Sequence, residues 1–233
     1  MKILAIGDPH GILPKNLDGI MKKEKIEIIF CTGDVPPVPK AFRQGKINYF
    51  PKEFIKKANK LFEDIVKKLC SYEKPVLILR GNMYLHGDSI KLTKKIFSSH
   101  KNLIYKKTGK VKINGFNFVL FDMSFEPHMQ HSPTVSPWMQ RQYDLNKSRE
   151  KTLNKLLKNL DNVIIVSHAP PYGYLDKTIV GPRGSKILLR AIKKYKPKLV
   201  LSGHIHENKG HVKIGKTDVY NLGSCGEYKV LEV

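Results

Sequence analysis

Near-continuous apolar runs recur along the chain at residues 2–7, 26–32, 75–80 and 163–167, each of the kind that predicts a strand covered on both faces. Further strands are predicted at 116–121 and 198–202, and three short ones at 211–214, 217–221 and 228–232 are punctuated by Gly in the manner of hairpins. Between these runs a 3.6-residue period predicts helices over 52–70, 88–98, 146–160 and 184–195. In the first of them Phe54, Ala58, Leu61, Ile65 and Leu69 form the apolar stripe, and Lys56, Lys57, Lys60, Lys67 and Lys68 take the rest of the wheel. Strands alternating with helices in this way predict an α/β fold with mixed sheets. Two segments resist assignment, "VPPVPKAFRQGKINYFP" (35–51) and "DMSFEPHMQHSPTVSPWMQRQYD" (122–144). Loops of that length are commonly functional.

Composition narrows the picture. The 233 residues, 41% of them hydrophobic, suffice for one full core, so residues 1–233 are expected to form a single domain. The opening "MKILAIGDPH" breaks at Gly7-Asp8, too soon for a secretory h-region, and no later apolar run has the length of a membrane span. A cytoplasmic protein without a membrane partner is expected. Cys31, Cys70 and Cys225 are too few and too scattered for a disulfide frame or a Cys-based zinc site, and read as reduced core or near-core residues. The formal net charge of +22, from 42 Lys and Arg against 20 Asp and Glu, raises the question of nucleic acid. Its distribution tempers that, because many lysines fall on helix backs and there is no Arg-Gly tract or basic tail.

The polar residues just past the strands carry the candidate chemistry. Asp8-Pro9-His10 follows the first strand, Gly33-Asp34 the second and Gly81-Asn82 the third; Ser167-His168 closes "NVIIV", and Gly203-His204-Ile205-His206 follows "PKLVL". The carboxyl ends of strands in open α/β sheets are where ligands bind. Two Asp, one Asn and four His mix hard oxygen with borderline nitrogen donors, a set suited to Mn, Fe, Co or Zn rather than Ca or a lone Mg. Each cluster alone is a common accident: a Gly-Asp is usually a turn, and a single His at a strand end is usually a hydrogen-bonded core residue. Five of them in order, each just after a predicted strand, are much harder to attribute to chance.

The series D-x-H, G-D, G-N, H and G-H-x-H, spanning residues 8 to 206, resembles the calcineurin-like metallophosphoesterase superfamily. "SHAPPYGYLDK", "GPRGSKILLRAI" and "KPKLVLSGHIHE" further resemble its small Icc-related phosphoesterases, and "NLGS" at 221–224 is similar to the family's turn after the last ligand. The resemblance implies a four-layer α/β/β/α sandwich with two mixed sheets and a di-metal centre. It implies that Asp8, His10 and His206 bind one metal, that Asn82, His168 and His204 bind the other, and that Asp34 bridges them. Manganese is the first expectation for both ions, with Fe, Zn, Co or Ni as alternatives.

Two divalent ions about 3.5–4 Å apart can share a water, lower its pKa from roughly 15.7 toward 7, and clamp both oxygens of an in-line phosphoryl displacement. No Ser or Cys nucleophile is then needed, and no G-x-S-x-G or nucleophilic Cys motif is present. Asn82 would serve twice, as a neutral ligand and as an amide beside substrate oxygen. Many relatives carry a proton-donating His immediately after this Asn; here the residue is Met83, whose thioether cannot donate. His86 is the candidate substitute, and His128, His131, Trp138 and Arg141 on the second long segment are candidates for the substrate pocket. The expectation is a metal-dependent phosphodiesterase acting on small phosphoesters or nucleotides through a metal-bridging hydroxide. The alternatives are a nuclease and a metal-binding, non-catalytic interaction module on the same fold.

Overall fold

The apolar runs form strands where the pattern puts them, and they segregate into two sheets. The structure, a computed structural model, describes residues 1–43, 46, 50–82, 95–96, 98–105, 108–122, 137–179 and 181–233. The chain divides into two compact units, Met1–Lys107 with Leu222–Val233, and Thr108–Asn221.

In the first unit β1 (Lys2–Ile6), β2 (Ile28–Cys31), β3 (Val76–Ile78) and β4 (Leu103–Tyr105) are parallel neighbours in that order. The last strand of the chain, β13 (Tyr228–Glu232), pairs antiparallel with β1 at the sheet's edge, so it is not part of a C-terminal hairpin as its short, Gly-flanked pattern predicts. β2 and β3 are buried along their whole length and β1 from Ile3 onward, as strands covered on both faces must be. The helices α1 (Leu17–Glu24), α2 (Lys40–Arg43) and α3 (Lys52–Cys70) accompany this sheet. Phe62, Ile65, Val66 and Leu69 of α3 share one core with Leu4, Ile6, Ile29, Val76 and Ile78 of the strands. The α3 stripe buries Ala58, Ile65 and Leu69 as predicted but turns in Phe62, 6% exposed, in place of Leu61, 37% exposed. Both satisfy the helical period, and turning the aromatic ring inward removes more apolar surface from water than turning in the leucine.

In the second unit β5 (Thr108–Ile113) and β6 (Phe116–Phe121) form a hairpin, followed by α4 (Pro137–Leu157) and β7 (Val163–Ser167). A small hairpin of β8 (Lys177–Thr178) and β9 (Gly181–Pro182) precedes α5 (Lys186–Tyr195) and β10 (Leu199–Ser202). A 3₁₀ turn at His206–Asn208 leads into the hairpin of β11 (Gly210–Ile214) and β12 (Thr217–Asn221). The six-stranded order is β11-β12-β10-β7-β6-β5, with β6, β7, β10 and β12 parallel and the two edge strands antiparallel to their neighbours. Ile187, Leu188, Ala191 and Ile192 of α5 pack with Leu153 and Leu157 of α4 against Ile165, Val200 and Val219. Ser185 caps α5, its Oγ accepting from the Leu188 amide at 3.0 Å, so the helix predicted from 184 begins just after its cap. Arg190 of α5 makes a bidentate pair with Glu150 of α4 at 2.6 and 2.8 Å.

α4 starts at Pro137, inside the segment 122–144 that the pattern leaves unassigned, and nine residues before the predicted start at 146. The helix predicted over 88–98 falls mostly outside the described residues. Each unit thus contributes one mixed sheet with its own helices, the α/β composition expected. Cys31 and Cys70 are buried and unbridged as expected, whereas Cys225 is exposed, because it lies in a turn between β12 and β13 rather than on a packed element. Among the described residues no helix is long and apolar enough to cross a membrane.

The exchange of Phe62 for Leu61 in the α3 stripe gives a direct test by urea unfolding. Phe62→Ala should cost about 3–5 kcal/mol, as expected for an aromatic ring removed from a core. Leu61→Ala should stay within about 0.5 kcal/mol, the usual range for an exposed position. The predicted stripe requires the opposite order.

Candidate functional site

In the first unit the chain leaves β1 and β2 through residues that are polar and yet buried: Asp8 is 0%, His10 6%, Thr32 0% and Asp34 2% exposed. Asp8 is held at three points. Its amide donates to the Gly223 carbonyl at 3.0 Å, its carbonyl accepts from the Cys225 amide at 2.9 Å, and its Oδ1 accepts a short 2.5 Å bond from the Thr32 hydroxyl. The loops after β1 and β2 are sewn together by the His10 amide on the Asp34 carbonyl at 2.9 Å and the Gly11 amide on the Val35 carbonyl at 2.8 Å. Both His10 (φ 45°) and Asp34 (φ 43°) occupy the left-handed region, a strained choice for residues with side chains.

The tautomer of His10 follows from its partner. Nδ1 lies 3.3 Å from the Pro36 carbonyl oxygen, which can only accept, so Nδ1 carries a proton and, in the neutral ring, Nε2 presents the lone pair. Nε2 stands 4.0 Å from Oδ2 of Asp34. A ring nitrogen pinned by a carbonyl, with the other presented as a donor, is how metal-ligating histidines are oriented.

After β3 the turn needs a glycine for two reasons. Gly81 has φ +74°, and a Cβ built on it would stand 2.1 Å from Oδ1 of Asp34. The Asp34 amide donates to the Arg80 carbonyl at 3.3 Å, and the exposed Asn82 follows directly after this close approach. The Cys31 thiol, at the end of β2, is pushed above its usual range chiefly by burial, with Asp8 and Asp34 adding to the effect against a backbone hydrogen bond to Gly33. It therefore stays a thiol at neutral pH rather than a nucleophilic thiolate.

The second unit carries the other three predicted ligands. His168, 0% exposed, follows β7 directly, and its carbonyl accepts from the Gly203 amide at 2.9 Å, binding the start of the Gly203–His206 turn to it. His204 adopts φ 67°, and its ring lies 4.9 Å from that of His168, tilted by 52°. His206 opens the 3₁₀ turn. Asp8 and His10 in the first unit, and His168 and His204 in the second, each offer ligand atoms within 4.8 Å of one another. Carboxylates and imidazoles within such short reach of each other are candidate sites for divalent metal ions.

Of the other predicted site residues, Met83, His86, His128 and His131 lie outside the described residues. Trp138 and Arg141 fall on the first two turns of α4. Three residues that bond to the predicted ligands or to the backbone between them are missed by reasoning from sequence: Thr32 on Asp8, Pro36 on His10, and Asn221, whose Nδ2 donates to Ile205 between His204 and His206. Thr32 stands two residues before Asp34, and Asn221 opens the "NLGS" run, so both are visible as neighbours of the motif without a role.

Comparison with known proteins agrees with this fold. The uncharacterized protein MJ1162 of Methanocaldococcus jannaschii is 29% identical over 95% of this chain and 87% of its own length. TT1561 of Thermus thermophilus has a solved structure that superposes with a TM-score of 0.58 at 18% identity, over 99% of this chain and 93% of its own. GAP50, described as the anchor in the inner membrane complex of Plasmodium, superposes at 0.53 with 16% identity over 97% of this chain and 71% of its own. These two show a shared fold. The family model for the calcineurin-like phosphoesterases matches residues 1–208, and the chain belongs to that family of metal-binding hydrolases of phosphoester bonds.

Proposed function

We propose that the chain is a two-metal phosphodiesterase acting on small phosphoesters or nucleotides, with manganese as its first-choice metal and Fe, Zn, Co or Ni as alternatives. In this reading Asp8, His10 and His206 hold one ion, Asn82, His168 and His204 hold the other, and Asp34 is shared. The observation that carries it is the pair of buried carboxylates, Asp8 and Asp34, kept in place by Thr32 and the backbone beside a His10 whose Nε2 is the donor nitrogen. A pair of divalent ions supplies Lewis acidity at the phosphoryl oxygens and acidifies water, so that a neutral-pH hydrolysis needs no nucleophilic side chain.

The chain's own residues set what that chemistry can act on. The Asn82 carboxamide is neutral: its oxygen can face an ion while its NH₂ donates to a phosphoryl oxygen that a carboxylate would repel. Met83 offers no proton to the leaving oxygen, which favours leaving groups that depart as anions. His86 is the nearest candidate to replace it, and His128, His131, Trp138 and Arg141 are the candidates to line the substrate pocket.

One observation favours a second reading, a nuclease. The exposed Lys147, Lys151 and Lys155 of α4, with Lys158 just past its end, follow one another at intervals of four, four and three residues, a row of like charge along one face. Such a row is suited to a phosphate backbone, although a solvated helix face is the commoner role of exposed lysines.

Asp34→Ala tests the shared carboxylate. Elemental analysis should find metal lost from both positions, and kcat on a nitrophenyl diester should fall by at least about 10²-fold. Retention of two ions with full activity contradicts the assignment, and a natural chain that binds two ions but cleaves no phosphoester supports the interaction module instead.

Met83→His tests the missing acid. It should raise kcat/KM on alkyl phosphoesters by roughly 10²–10⁴-fold where proton transfer limits the rate, with little change on nitrophenyl esters and none in metal content. Equal leaving-group dependence in both proteins places protonation elsewhere.

Salt dependence separates the two substrate readings. For duplex DNA, log Kobs should fall against log salt with a slope of about −0.9 per phosphate contact, leaving only weak binding near 150 mM. Submicromolar binding at that salt, with cleavage of the strand, establishes the nuclease.

A further inference from the structure

Asn221 stands at the carboxyl end of β12, 2% exposed, in register with Ser202 at the end of its parallel neighbour β10. Ser202 directly precedes Gly203-His204-Ile205-His206, so the sheet itself brings Asn221 alongside the turn that carries two of the histidines. Its Nδ2 donates to the Ile205 carbonyl at 2.8 Å and to the Leu175 carbonyl at 3.1 Å. Ile205 is the residue between the two imidazoles. Leu175 lies on the segment that begins at His168 and runs to β8.

The chemistry of these bonds is specific to asparagine. A carboxamide NH₂ has two hydrogens, and here each meets an oxygen that can only accept, which also fixes the orientation of the amide. Both acceptors belong to irregular backbone. Leu175 has φ 56° and His204, next to Ile205, has φ 67°, so the two segments hold conformations that a free chain leaves readily. Within the turn the Ile205 amide already bonds back to the Gly203 carbonyl at 2.8 Å, and the Asn208 amide donates to Ile205 at 3.1 Å. The Asn221 amide joins this turn to the segment after His168. It is a single buried side chain tied to both histidine-bearing loops of the unit.

We infer that Asn221 is a positioning residue, which fixes the spacing of His168, His204 and His206 by clamping their two loops to each other. The inference rests on the proposed reading of those histidines as metal ligands, and it adds the group that keeps them in place. Aspartate, nearly the same shape, reverses the effect: it has no hydrogens to give and faces both carbonyls with negative charge. Alanine simply removes both ties.

A control lies on the same strand. Thr217, at the amino end of β12, is 0% exposed, and its Oγ1 donates to the Pro197 carbonyl at 2.6 Å. It makes the same kind of bond, side chain to loop carbonyl, at the end of the sheet away from the histidines.

The test is the affinity of the whole chelator-stripped chain for Mn(II) alone, by isothermal titration, for the natural protein and for Asn221→Ala, Asn221→Asp and Thr217→Val. Thermal unfolding of each is measured in EDTA. Asn221→Ala and Asn221→Asp should weaken Mn(II) binding by about 10–100-fold, the usual loss when a group orienting metal ligands is removed, with Asp the weaker binder. Thr217→Val should lower the melting temperature in EDTA while leaving Mn(II) affinity unchanged. Natural-like Mn(II) affinity in Asn221→Ala, or an equal loss in Thr217→Val, overturns the inference while leaving the ligand assignment standing. Absence of Mn(II) binding by the natural chain removes the ligand assignment and the inference together. Should Asn221→Ala fail to fold, Asn221→Ser, which keeps one donor, replaces it with the same expected direction.

Discussion

Two carboxylates kept out of water at the ends of adjacent parallel strands set the terms for the first unit. A buried charge without compensation is costly enough that the surrounding groups must be arranged around it. Asp8 and Asp34 are so arranged: the Thr32 hydroxyl donates to the Asp8 carboxylate, the His10 imidazole stands 4.0 Å from that of Asp34, and backbone hydrogen bonds fix both residues in place. The cost reaches into the backbone. His10 and Asp34 take left-handed conformations, and the turn after β3 must be glycine because the Asp34 carboxylate occupies the space where a Cβ would stand. Strain of this kind persists only where the surroundings over-determine it, and it collects at functional sites.

Parallel topology is what makes so scattered a donor set attainable. In a parallel sheet all carboxyl ends lie at one edge, so residues far apart in sequence meet without long excursions of the chain. β1 and β2 bring Asp8 and Asp34 together in the first unit, and β7 and β10 bring His168 and His204 together in the second. β12, parallel to β10, adds Asn221 to the same edge.

How much of this was legible from sequence depended on how local the cause was. The buried strands and α3 declare themselves because solvent exclusion on both faces, or on one stripe, writes a periodic pattern. β4 is three half-buried residues and α1 has one buried residue, Leu17, and an internal glycine, so neither leaves such a pattern. β5 alternates exposed Lys110 and Lys112 with half-buried positions, too polar to stand out, but its Asn114-Gly115 turn, with φ of 48° and 81°, was the readable sign of the hairpin. Pro137 was likewise a readable start for α4, since proline suits the first turn of a helix. The pairing of β13 with β1 rather than with its sequence neighbours is a tertiary choice that no local signal carries. At the site, ligand-type residues could be read from their order after strands. Thr32 and Asn221 could not, because a supporting role depends on which carbonyl or carboxylate a side chain meets, and only three-dimensional placement decides that.

The central claim is that one carboxylate, Asp34, joins two divalent ions in this chain. Electron paramagnetic resonance of the protein loaded with two equivalents of Mn(II) tests it most directly. A shared carboxylate predicts a spectrum of magnetically coupled ions, reverting to that of separate ions when Asp34 is replaced; the hyperfine pattern of isolated Mn(II) at full loading of the natural chain contradicts it.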